Sequence, residues 1–107
     1  MKTVQEKNRY IHFHGAPSKG RIIMVASSPT ISTQTGWPIG FWAAELTHPM
    51  WAFQEAGYEV TLASTAGGKI EMDSYSNPKD PSGYSAHDMI SLGYLQQESF
   101  HTMLLNT

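Results

Sequence analysis

A single carboxylate, Glu45, stands among aromatic and alanine neighbours in the stretch Gly40–Gly57, GFWAAELTHPMWAFQEAG, and a proline follows at Pro49. Advancing about 100° per residue, a helix places Trp42, Leu46, Pro49, Phe53 and Ala56 on one face, with Glu45 on its flank beside Pro49 and Ala52. The carboxylate is therefore expected at, or beside, the buried side, where an anion is costly and tends to be protonated or partnered. Pro49 has no N–H, and the carbonyl it leaves unsatisfied is that of Glu45. Two departures from helix rules thus meet at one residue, a pattern often found at sites. The alternative is a helix that starts near Thr47, where Pro49 is harmless in the first turn and Glu45 is an ordinary loop residue. Trp51 points away from the stripe, towards solvent or a partner.

Other residues capable of chemistry carry weaker patterns. His12 and His14 have H-x-H spacing, which puts both rings on one face of a strand. Zinc normally takes four ligands, and no companions stand nearby, so a solvated leader is the reading. Ala66–Lys69 (AGGK) lacks the spacing and trailing Ser/Thr of a phosphate loop, which leaves a turn. Ser27, Ser28 and Thr30 follow the first strand without a G-x-S-x-G pattern, and they read as lining of a crevice rather than nucleophiles. His48 could reach the same crevice, although a histidine before proline is more simply a solvated or hydrogen-bonded side chain. His87 and Asp88 read as first-turn helix residues, with Asp88 favoured there by the helix dipole.

These residues need elements to position them. Residues 1–20 form a polar leader ending in GAPSKG, a loop signal, and residues 21–107 are expected to be the N-terminal part of an α/β domain. Arg21–Ser27 (RIIMVAS) is a continuous, β-branched apolar run that suits a strand buried on both faces of a parallel sheet. A long Ser/Thr/Gly/Pro loop follows, then the helix of Gly40–Gly57, then an alternating strand over Tyr58–Thr65. Strand, helix, strand implies a parallel pair joined by a right-handed crossover. Lys69–Met72 is a candidate edge strand. SAHDMISLGYLQ begins a helix at Ser85, with Asp88 completing a variant capping box, and Gly93 ends or bends it. Phe100, Met103 and Leu104 share the face of a last helix.

The bulk numbers narrow the function classes. The 107 residues are 40% hydrophobic and 15% charged, with a net charge of −2, which argues for a globular domain and against disorder. Scattered Lys and Arg make no basic stripe, so nucleic acid is not an expected partner. There is no cysteine, hence no thiolate ligand or cysteine nucleophile within these residues. No apolar run is long enough for a secretory signal or a membrane span, so a soluble, cytoplasmic protein without a membrane partner is expected. Two strands and about three helices are few for an open parallel sheet of typically about four to six strands. The expectation is the N-terminal part of a larger α/β unit.

RIIMVASS, the TG loop, GFWAAELTHPMWAFQEAGYEVTLASTAGG and SAHDMISLGYL together resemble the PfpI-type, class I glutamine amidotransferase-like superfamily, from about Arg21 to Thr107. That group includes the Parkinson-linked deglycase protein, glyoxalase III enzymes and heat-shock chaperones. The resemblance implies a flavodoxin-like three-layer α/β sandwich, often a homodimer. It also implies a cysteine nucleophile on a strand-to-helix elbow with a histidine close by. The family's helix-one glutamate matches Glu45, and it hydrogen-bonds the sulfur, which favours the thiolate. The family site lies at the carboxyl edge of the sheet. Neither the cysteine nor the elbow motif is present here, so the nucleophile must come from a C-terminal remainder of the domain. So completed, the protein would be a hydrolase or lyase acting on a small carbonyl or amide compound, with no metal or organic cofactor. The alternatives are a non-catalytic chaperone or regulatory module, and an inactive fragment.

Overall fold

In a computed structural model, which describes residues 18–107, the apolar run forms strand β1 over Arg21–Ala26. Two short strands follow, β2 at Thr30–Ile31 and β3 at Pro38–Ile39. They pair antiparallel, so the Ser/Thr/Gly/Pro loop holds a small hairpin that its composition does not signal. Helix α1 spans Ala43–Glu55 and strand β4 spans Glu59–Ser64. A single 3₁₀ turn at Ser74–Ser76 precedes helices α2, Met89–Leu95, and α3, Glu98–Leu105. His12 and His14, and most of the leader, lie outside the described residues.

The protein is a mixed α/β fold in which β1 and β4 pair parallel, in the register Arg21↔Glu59 through Ala26↔Ser64. Strand alternation then sorts the side chains by face. Ile22, Met24 and Ala26 share the covered face with Val60 and Leu62, while Arg21, Ile23 and Val25 point the other way with Glu59 and Thr61. The core joins Val60 and Leu62 to Leu46 and Met50 of α1, Tyr94 and Leu95 of α2, and Phe100 and Leu104 of α3. Each fully buried side chain of this size contributes about 1.5–3 kcal/mol of burial free energy. Expected burial of β1 on both faces is not met among the described residues: Ile23 is 64% exposed and Val25 68%. The β-branched residues that made the run look central are simply split between two faces, and only one of them is covered.

Helix α1 ends as its last residues dictate. Gly57 takes φ +97°, the Gly57 N–H donates to the Gln54 carbonyl, and the Tyr58 N–H donates to the Phe53 carbonyl at 3.0 Å. This is a Schellman closure, which needs a left-handed residue after the cap. Phe100 and Leu104 are buried and Met103 is half-buried on α3, as the spacing requires. Lys69–Met72 is not a strand; its only ladder contact among the described residues is a parallel bridge between Phe41 and Met72. Helix α2 starts at Met89 rather than Ser85, because Asp88 is the cap: its side chain accepts from the Ser91 N–H. Ser85 instead donates its hydroxyl to the Tyr75 carbonyl at 2.7 Å, and Gly93 lies inside α2 without ending it. No helix among the described residues is long and apolar enough to cross a membrane.

Candidate functional site

The chain enters α1 through a backbone contact that only glycine allows. A Cβ on Gly40 would lie 2.0 Å from the carbonyl oxygen of Glu71, well inside contact distance. Next to it, the Phe41 N–H donates to Glu71 O at 3.1 Å and the Asp73 N–H donates to Phe41 O at 2.8 Å. Trp42 is the N-cap residue yet supplies no side-chain cap. The Ser76 hydroxyl, from the 3₁₀ turn, does so instead by accepting from the Ala43 N–H at 2.9 Å. Together these contacts fix the first turn of α1 beside the carboxyl end of β1.

Glu45 lies in that first turn. It faces a cleft of about 310 Å³ bounded by Met24–Ser27 of the β1 end, by Gly40–Trp42 and by Leu46. The side chain is nevertheless exposed, which corrects the expectation that it is held at the buried side. The physical reason is a rotated stripe. Ala43, Leu46, Thr47, Met50 and Gln54 are the buried residues of α1, whereas Trp42 and Ala56 are exposed and Pro49 and Phe53 only half-buried. Two polar residues, Thr47 and Gln54, take places that a hydrophobicity wheel gives to solvent. Pro49 is inside the helix, so the reading that starts the helix near Thr47 does not hold. The Glu45 carboxylate makes no hydrogen bond or ion pair with the described residues, leaving its oxygens available to a ligand at the cleft.

Of the three hydroxyl residues expected to line a crevice, Ser27 borders the Glu45 cleft. Ser28 is used structurally: its Oγ accepts from the Ala66 N–H at 2.9 Å and from Thr65 Oγ1 at 3.2 Å. Thr30 is exposed in β2. Gly67 and Gly68, with φ +74° and +76°, make AGGK a left-handed turn. Trp51 is 41% exposed, on the solvent side as expected.

A second arrangement escaped the sequence. His48 Nε2 lies 2.8 Å from Asp88 Oδ1. Asp88 Oδ2 accepts from the Ser91 hydroxyl at 2.6 Å, and Ser91 Oγ lies 2.7 Å from Thr47 Oγ1. Because the Ser91 proton is committed to Asp88, Thr47 must donate to Ser91. Thr47, Ser91 and Asp88 are all buried. Burial opposes ionisation of Asp88, but the hydrogen bonds from the Ser91 side chain, the Ser91 backbone and His48, with the attraction of His48, outweigh it. Its carboxyl is held below the ordinary value of 3.8. The sequence signal available was Asp88 as a cap, but its partner stands 40 residues earlier. Among the described residues no three His, Asp or Glu side chains gather as a metal site would require. Compared with family models, with curated proteins and with solved structures, the chain matches none.

Proposed function

We propose that these residues are the N-terminal part of a flavodoxin-like, PfpI-type α/β protein in which Glu45 serves a cysteine nucleophile supplied from outside this chain. The observation that carries the reading is the position of Glu45: a carboxylate on the first turn of α1, without a hydrogen-bond or ion-pair partner among the described residues, at a cleft formed by the carboxyl end of β1. Open α/β sheets place their chemistry at that edge. A protonated Glu45 would donate to the sulfur and favour its thiolate form. Its exposure is compatible with this role when the incoming elbow covers the cleft and removes water from the carboxyl group. The uncovered sheet face with Ile23 and Val25 supplies apolar surface for the same completing segment, and a homodimer is the expected assembly. The substrate class is a small carbonyl compound of the glyoxal type, turned over without metal or organic cofactor.

The test is to combine the chain with the completing segment and measure glyoxal consumption for wild type and Glu45→Ala. Loss of turnover in the variant supports the role, and unchanged turnover removes it. The same bare sheet face favours one other reading, a chaperone-like or regulatory module that binds apolar segments. That reading expects suppression of client aggregation whether or not Glu45 is intact.

A further inference from the structure

The His48–Asp88 pair opens onto a concavity of its own. A cavity of about 560 Å³ is walled by Trp42, Tyr84, Met89 and Ile90, with His48 and Asp88 among its polar lining. Its size is that of a small-molecule site, and it combines apolar walls with the polar side chains of His48, Ser85, His87 and Asp88. Trp42 and Tyr84 meet edge-on with ring centroids 6.2 Å apart. Tyr84 and Met89 are each 66% exposed, which leaves much of this apolar wall unused by the core.

The polar element is more constrained than a surface histidine. Asp88 has both carboxylate oxygens occupied: Oδ2 by the Ser91 hydroxyl, and Oδ1 by the Ser91 N–H and His48. Its remaining role towards the ring is that of acceptor, so His48 Nε2 carries the proton it donates. In neutral His48 the second nitrogen, Nδ1, is then the acceptor, and it has no hydrogen-bond partner among the described residues. Hydrogen bonds to the carboxylate from buried Ser91, itself held by Thr47, fix Asp88 and through it one tautomer and one ring orientation. Thr47, Ser91 and Asp88 are buried, whereas the His48 side chain keeps 48% of its surface exposed, so the ring they orient is accessible to a ligand.

We propose that this cavity binds a small aromatic ligand bearing an O–H or N–H donor, with the ring against Trp42 and Tyr84 and the donor proton on His48 Nδ1. The site is separate from the Glu45 cleft, sharing only Trp42 with it, and it needs no cysteine. His48 is the specificity residue, and Asp88 positions it.

The probes are phenol and anisole, which share a ring and an oxygen but differ in the donor. Each is titrated into the 107-residue chain at a pH where the ¹⁵N chemical shifts show the His48 ring to be neutral, with those shifts and the Trp42 indole followed. Phenol should saturate, moving Trp42 and His48 Nδ1 while Nε2 stays nearly fixed. Anisole should bind about tenfold more weakly, the equivalent of one hydrogen bond. His48→Phe should reduce phenol to the anisole level. Equal affinity for the two probes, movement of Nε2 instead of Nδ1, or no saturable shift at Trp42 would each overturn the proposal. Should His48→Phe fail to fold, the two probes on the unaltered chain still decide it.

Discussion

Gln54 and Tyr94 allow the packing between α1 and α2 to be tested with magnitudes set by the structure. Gln54 is 1% exposed and Tyr94 4%, and the Tyr94 hydroxyl donates to Gln54 Oε1. The amide nitrogen of Gln54 is buried with no partner among the described residues. Tyr94→Phe therefore strands a second buried polar atom on the same side chain, at a cost of about 1–3 kcal/mol. Gln54→Met strands the Tyr94 hydroxyl but removes the unpaired amide nitrogen, two effects of similar size and opposite sign, so its net change should be small. In the double variant neither side chain of the pair carries an unpaired polar atom, and its stability should equal or exceed that of the wild type. The assay is urea unfolding, in which each kcal/mol moves the midpoint by up to about 1 M. A pronounced coupling is the expected result: Tyr94→Phe destabilises the wild type and leaves Gln54→Met unharmed. Equal losses in both backgrounds would refute the account of this pair. The phenol adds a pH signature. Burial first, and the Glu55 charge second, push it above its ordinary value of 10.0. The folded protein thus holds this proton more tightly than the unfolded chain. The resulting stability is present below about pH 10 and falls as the pH rises beyond it, and Tyr94→Phe should remove that slope.

Other outcomes follow from the same geometry. Gly40→Ala places a methyl group against backbone, not a flexible side chain, and should cost at least about 1–3 kcal/mol; in thermal unfolding, a midpoint within a degree of wild type would contradict the close approach. Ser76→Ala removes the remote cap on Ala43 and should cost about 0.5–2 kcal/mol, measured by the same melts. Asp88 has a depressed carboxyl, so its contribution is complete above about pH 4 and is lost as the pH falls further; Asp88→Asn should flatten this part of an acid-unfolding profile.

Local pattern located β1, α1 and β4 because each is a contiguous run with its own period, and the parallel pairing followed from their order. What local pattern could not give was anything that depends on a distant partner. Thr47 and Gln54 are polar, so a wheel sends them to solvent. They are buried because Ser91 and Tyr94, 44 and 40 residues later, satisfy them. That displacement turned the buried stripe and carried Glu45 outwards. Ser85 and Asp88 are both good caps by residue type, and the choice between them rests on His48 and Ser91 closing around Asp88. The apolar run of β1 indicated a strand, but apolar content alone does not count how many faces are covered. Glu45 stood out in the sequence as a misfit among its neighbours, a misfit the fold relieves by turning it to solvent, and the cleft beside it depends on the entry of α1 next to β1, which Gly40 makes possible.

The central claim is that Glu45 tunes a thiol it does not itself carry. The most direct measurement is the pH titration of thiolate absorbance in the completing segment, free and combined with this chain, for wild type and Glu45→Ala. The cysteine should ionise well below its usual range near about pH 8.5 only in the wild-type combination, and return towards that range in the variant. A thiol that titrates identically with and without the Glu45 carboxyl would contradict it.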